Sequence, residues 1–315
     1  MAKYRNRLPQ LDGGLFLTDG GSETTLIFHE GFDLPYFAAF VLVDDEAGRE
    51  ALRRYYGRYA GIARDNNAGF ILESPTWRAS ADWGDKLGYS RDRLAETNRL
   101  AIALMAEIRD SLPDWGKPIV ISGQIGPRGD GYDPSAIMTR DEAEAYHAHQ
   151  IRALAEAGAD QVTALTMTNA DEAVGLARAA RAAGMPVVIS FTVETDGRLP
   201  TGQNLAEAIE EVDAATDAGP AYFMINCAHP THFEATLDTD EAWVRRIRGI
   251  RANASSRSHA ELDEAADLDD GDPEEFGRQH AAIRARQPQI TVLGGCCGTD
   301  HRHVEHICGA ARNAE

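Results

Sequence analysis

Three of the four cysteines in this 315-residue chain stand in polar or glycine-rich settings rather than inside apolar runs. Cys296 and Cys297 are adjacent within Gly294-Gly295-Cys296-Cys297-Gly298-Thr299, after the apolar run 290–293 and before His301, Arg302 and His303. Cys227 lies in Asn226-Cys227-Ala228-His229-Pro230, directly after another apolar run. Glycines beside the paired cysteines allow the backbone to turn sharply enough for neighbouring side chains to converge on one point. Converging thiolates bind soft metals and act as nucleophiles. The plainer alternatives are buried free thiols, which pack as small hydrophobes, or a disulfide between the adjacent pair. Cys308 falls in a helical stretch beyond the pair and reads as packing.

Composition narrows the chemistry. Apolar residues make up 43% of the chain and charged ones 26%, enough for a substantial core. The net charge of -19 repels phosphate backbones and anionic lipid, so neither nucleic acid nor a membrane surface is expected as a partner. The N-terminal stretch Met1-Ala2-Lys3-Tyr4-Arg5-Asn6-Arg7 leads into no apolar segment of secretory type, and no run approaches the roughly 18 apolar residues of a membrane span. A cytoplasmic location is the expectation. In a reducing compartment, clustered cysteines point to metal binding or catalysis rather than to a disulfide framework.

The elements that must position these residues follow a regular rhythm. Short apolar runs at 15–18, 70–72, 119–123, 161–165, 187–191, 222–225, 247–252 and 290–293 alternate with helical patterns. In the first long helical stretch Leu52, Tyr55, Tyr56, Tyr59 and Ile62 recur every three or four residues; in another, Thr139 and Glu142 have capping-box spacing and Gly158 marks the end. Eight such units over 1–315 predict one α/β domain, a single (β/α)8 TIM barrel, with an acidic excursion near 257–273 read as solvated surface. A doubly wound sheet fits less well, because no Gly-x-Gly-x-x-Gly follows the first strand. Barrel enzymes place their chemistry at the C-terminal ends of the strands. Asp19, Glu73, Cys227, Asn253, Cys296 and Cys297 all follow a predicted strand, so all are expected around one mouth.

Three thiolates at that mouth suit Zn2+, which takes sulfur at about 2.3 Å in tetrahedral coordination. Three protein ligands leave a fourth position for substrate; His229, His301 and His303 are the other residues placed to fill it. His147 and His149, two apart on a helix, point to different faces and make a poor metal pair. A trithiolate centre activates water weakly but holds an incoming thiol as thiolate at neutral pH. Alkylation of that thiolate, such as methyl transfer from a cationic donor, is the predicted chemistry.

The assembled residues resemble the homocysteine S-methyltransferase family over almost the whole chain. The segment 294–299 carries the most specific likeness, supported by Asn226-Cys227 and by Asp19-Gly20-Gly21 after the first strand. The resemblance implies zinc on Cys227, Cys296 and Cys297, and a homocysteine thiolate as acceptor. It also implies that Asp19 and the nearby backbone, with Gly20 and Gly21, help to hold the amino acid, and Glu73 and Asn226, at the ends of the second and sixth strands, are read as further substrate-binding residues. Two departures stand out. Leu165 occupies the place of the family's glutamate after the fourth strand, which leaves Glu73 or Glu194 to supply a carboxylate, or a different small thiol as acceptor. The family's Tyr-Pro-Asn after the seventh strand reads Arg251-Ala252-Asn253 here. For the donor the resemblance implies S-methylmethionine or S-adenosylmethionine ahead of betaine, with Glu73 and Trp77 suited to a cation. A zinc-binding or thiol-sensing barrel without turnover is the non-catalytic alternative.

Overall fold

The computed structural model describes residues 2–265 and 267–312. Its strands are β1 (Phe16–Leu17), β2 (Gly69–Glu73), β3 (Ile119–Ile125), β4 (Gln161–Met167), β5 (Val187–Phe191), β6 (Tyr222–Asn226), β7 (Ile247–Ala252) and β8 (Val292–Gly295). They close into one barrel in chain order, with β8 pairing in parallel to β1. The expected TIM barrel is therefore the fold. Outside it run α1 (Glu46–Asp65), α2 (Ala81–Lys86), α3 (Arg91–Ser111), α4 (Arg140–Ala157), α5 (Ala170–Ala182), α6 (Leu205–Thr216), α7 (Pro230–Phe233), α8 (His259–Asp263), α9 (Pro273–Arg286) and α10 (His301–Arg312).

Local sequence explains the principal helices. Asp45 caps α1 by accepting from the Gly48 amide, and the buried stripe contains Leu52, Tyr55, Tyr56 and Tyr59. Thr139 and Glu142 form the predicted capping box on α4, which ends at Gly158 with φ 96°. The stretch after β7 differs from a plain exposed loop. Its short helix α8 is capped by a Ser258–Glu261 box and begins with a buried histidine, His259.

Strand alternation builds the barrel interior in layers. Phe16, Ile71, Val120, Val188, Tyr222, Met224 and Val292 form an apolar plug. Two residues further along the same strands stand Glu73, Ser122, Ser190, Asn226 and Gly294, with Arg251 on β7 beside them. This second layer is polar and internally bonded: Ser122 and Thr163 hydroxyls meet at 2.7 Å, and Ser190 Oγ donates to Asn226 Oδ1 at 2.7 Å. Glu73 belongs to this layer as the last residue of β2, paired with Ser122, rather than to the loop that follows.

Candidate metal and thiol site

The sulfurs lie just above the polar layer, where β6, β7 and β8 end side by side. The Cys227 amide donates to the Arg251 carbonyl at 3.1 Å and the Cys296 amide to the Ala252 carbonyl at 2.8 Å, so β7 holds both cysteine loops. The glycines before the cysteine pair serve close approach more than bending. Gly294 and Gly295 are strand residues paired with Arg251 and Ala252, and a Cβ on Gly294 would lie 1.9 Å from Thr18 Oγ1. The bend comes after the pair, at Gly298 with φ 77°. Cys227 itself has φ 56°, a left-handed conformation that costs a non-glycine residue energy and turns its side chain back over the mouth.

The three Sγ atoms lie within 4.8 Å of one another. Cys227 Sγ is 2.7 Å from Cys296 Sγ and 3.6 Å from Cys297 Sγ. Tetrahedral zinc at its usual bond length separates its sulfurs by about 3.8 Å. The longer contact already matches that value, and the shorter one has to open by about 1 Å. The donor set thus fits a thiophilic dication in its chemistry and nearly in its spacing. Without such an ion the thiols divide one charge among themselves. Hydrogen bonds from Cys227 and Cys297, aided by Arg251, hold Cys296 well below the ordinary thiol range, and the Cys296 charge pushes Cys227 well above it. A bound dication favours the ionised form of all three.

The other predicted residues divide into lining and support. Gly20, Gly21, Asn226 and Leu165 line a cavity of about 80 Å3 together with the three cysteines and Arg251. Asn226 is largely spent on structure. It accepts from the Thr166 amide and donates to Thr166 Oγ1, both at 2.8 Å, holding the left-handed Thr166 at the irregular end of β4. Its amide also approaches Cys296 Sγ at 3.9 Å. Asp19 and Glu73 lie outside the cavity lining. Asp19 is buried, with Oδ1 accepting from Arg251 Nη2 at 2.7 Å and Oδ2 from the Tyr55 hydroxyl at 2.9 Å. Burial pushes its carboxyl above the ordinary range in spite of the guanidinium. Arg251 also reaches the Gly20 and Gly295 carbonyls, at 3.2 and 3.1 Å, and so joins the first and last loops of the mouth. Glu73 is 2% exposed, its Oε2 lacks a partner, and burial raises its pKa to about 7.

The three histidines weighed as a fourth ligand are not part of the sulfur cluster. His229 caps α7 through Thr231, and His303 bonds Asp300 and the Asp270 carbonyl. Asn253, directly after β7, donates its backbone N–H to the Ala228 carbonyl at 3.0 Å. One face of Trp77 is covered by the Arg78 guanidinium, 4.1 Å from the ring centre.

Sequence reasoning missed two groups beside the sulfurs. The Tyr132 hydroxyl lies 3.3 Å from Cys227 Sγ and 3.5 Å from Cys297 Sγ, and its ring stacks on His259 at 4.0 Å. His259 in turn reaches the Cys227 carbonyl at 2.6 Å and Glu194 Oε1 at 3.0 Å. The acidic excursion therefore brings one side chain to the back of the Cys227 loop. Tyr132 sits in a glycine-rich loop and His259 in a charge-rich one, and neither has a local pattern that marks it.

Comparison with known proteins bears on the family and the fold. A family model described as homocysteine S-methyltransferase matches residues 16–311. The selenocysteine Se-methyltransferase of Brassica oleracea var. italica is 24% identical, with 94% of this chain and 88% of that protein aligned. Homocysteine S-methyltransferase 2 of Arabidopsis thaliana is 23% identical, with 94% and 92% aligned. Among solved structures, the metallated form of the homocysteine methyltransferase MmuM from Escherichia coli superposes with a TM-score of 0.70 at 18% identity, covering 96% of this chain and 98% of that one. At that identity the likeness concerns the fold. Among the described residues no helix is long and apolar enough to cross a membrane.

Proposed function

This chain belongs to the homocysteine S-methyltransferase family and is a methyltransferase, and from that premise we propose that it methylates homocysteine at a zinc centre held by Cys227, Cys296 and Cys297. The carrying observation is the convergence of three sulfurs, within 4.8 Å of one another, on the rim of a cavity at the C-terminal end of the barrel. When bound, zinc would supply the charge that keeps an acceptor thiol deprotonated near neutral pH.

The chain's own residues do the rest by placement. Cys227, Cys296 and Cys297 direct the acceptor sulfur toward the cavity. Gly20 and Gly21 present backbone edges there, Asp19 keeps Arg251 against both loops, and Asn226 fixes the end of β4 beside Cys296. Glu73 contributes from the layer beneath, where its charge and that of Arg251 attract. In the transfer, a lone pair of the acceptor thiolate forms a bond to the methyl carbon while the bond from that carbon to the donor's cationic centre breaks. The electron pair leaves with the donor, which becomes neutral. A sulfonium donor, S-methylmethionine or S-adenosylmethionine, is favoured by the resemblance; betaine is the quaternary ammonium alternative. Leu165 in the lining keeps a second reading in view, a different small thiol as acceptor.

The test is metal content and turnover of the purified protein beside Cys297→Ala. About one zinc per chain, product methionine from homocysteine, and loss of both in the variant are expected. Full zinc and full activity in the variant would defeat the assignment. Product from betaine but from neither sulfonium compound would reverse the donor choice.

A further inference from the structure

Homocysteine carries its sulfur and its ammonium nitrogen four bonds apart. If the methyl-transfer reading holds, an acceptor whose sulfur lies on the three cysteines must bring its positive charge into the same cavity of about 80 Å3. Among the described residues that line this cavity, Glu23 is the single carboxylate. The other nearby acids are committed or set back. Both oxygens of Asp19 are taken, by Arg251 and Tyr55. Glu73 lies in the layer beneath, and Glu194 accepts from His259. Leu165 brings no charge to its side of the lining.

Glu23 is placed differently. It follows Gly20, Gly21 and Ser22 on the loop after β1, immediately before a π-helical turn, Thr24–His29. Its Oε2 accepts from Ser22 Oγ at 2.7 Å, which fixes the carboxylate against the loop. Burial raises its pKa, and the charges of Cys296 and Asp19 add to the effect, so the carboxylate sits in a field that favours a cation beside it. Arg78 feels that charge, but its guanidinium is stacked between Trp77 and Trp83 and donates to the Gly129 carbonyl at 2.7 Å.

We propose that Glu23 receives the ammonium group of the acceptor, and that this contact makes the enzyme selective for amino thiols over thiols without an amino group. A charge-assisted hydrogen bond of this kind is worth about ten- to hundredfold in affinity, and a site built around such a group rejects analogues that lack it.

The experiment compares homocysteine with 4-mercaptobutyrate, which is homocysteine without its amino group. The wild type and Glu23→Gln, both zinc-loaded, are assayed for kcat/KM with the donor that supports turnover. Binding of each thiol is also measured by calorimetry without donor, and zinc content is checked in both proteins. The wild type is expected to prefer homocysteine by about ten- to hundredfold. Glu23→Gln should lose most of that preference, keep its zinc, and handle 4-mercaptobutyrate to within about twofold of wild type. The ratio of ratios cancels the different intrinsic reactivities of the two thiols. Glu23→Asp, which keeps the charge on a shorter arm, should recover part of the preference.

Equal losses for both thiols, or a rise confined to the donor KM, would overturn the assignment. If the wild type methylates thiols without distinguishing the two, this inference fails and the methyl-transfer reading stands. If it methylates no thiol, both fall.

Discussion

Replacing Arg251 with methionine removes a guanidinium from one of the most enclosed ion pairs in the molecule. The Arg251 and Asp19 side chains are 4% and 3% exposed and their charged atoms lie 2.7 Å apart. Breaking such a pair from one side strands the other charge and typically costs 3–5 kcal/mol. The structure also sets a ceiling. A stranded Asp19 can take up a proton, and protonating a carboxyl of ordinary value 3.8 at pH 7 costs about 4 kcal/mol at 1.36 kcal/mol per pH unit. The Gly20 and Gly295 carbonyls lose a donor as well, which adds about 1 kcal/mol. A loss of about 3–5 kcal/mol at pH 7 is therefore expected. In the variant the folded-state value of Asp19 lies above its unfolded one, so the folded protein holds the extra proton and the deficit shrinks as pH falls toward 4. Urea unfolding followed by fluorescence and circular dichroism at pH 7 and pH 5 measures both effects. The double variant Asp19→Asn/Arg251→Met should recover about half of the loss, because no charge is left stranded. A deficit below about 1 kcal/mol at pH 7, a deficit independent of pH, or simple additivity with Asp19→Asn would refute the reasoning.

Two further outcomes follow from the interior and from the cysteine loop. Glu73 has its pKa raised by burial from 4.5 to about 7, so the folded state binds a proton more tightly than the unfolded chain and its share of stability falls as pH rises from 4.5 to 7, by about 3 kcal/mol. Glu73→Gln should abolish that slope, seen as a smaller difference in unfolding free energy between pH 5 and pH 7.5; an unchanged slope would show that Glu73 does not titrate there. Gly294→Ala should lose about 2–3 kcal/mol, because the new methyl meets Thr18 Oγ1 at 1.9 Å and the Asp19 carbonyl at 2.7 Å. Adding Thr18→Ala removes only the first clash and should restore part of the melting temperature.

Much of this protein is legible in its sequence, because the relevant signals are local. Strand and helix periods repeat over a few residues, so the barrel could be read from eight apolar runs. Two of the candidate ligand cysteines are adjacent and the third follows an apolar strand, and the capping box of α4 needs four consecutive positions. The glycines before Cys296 were legible as important but not for the right reason. Gly294 is required by Thr18 and Asp19, which reach it across the β1–β8 seam, and Gly295 by the Thr299 side chain four residues on.

What the tertiary structure alone decided are pairings between distant loops. Arg251 and Asp19 are 232 residues apart in the chain, Tyr132 and Cys227 are 95 apart, and His259 meets a carbonyl 32 residues earlier. No periodicity records such contacts, since they arise when barrel closure brings the ends of all eight strands to one rim. The same closure sorts acids that look equivalent as residues after a strand or in its loop. It buries Asp19 against a guanidinium, places Glu73 one layer down, and leaves Glu23 in the lining of the cavity that the thiols share. The ligands of the candidate metal centre are thus written in adjacent letters, whereas the charges around it depend on which loops the barrel places opposite one another.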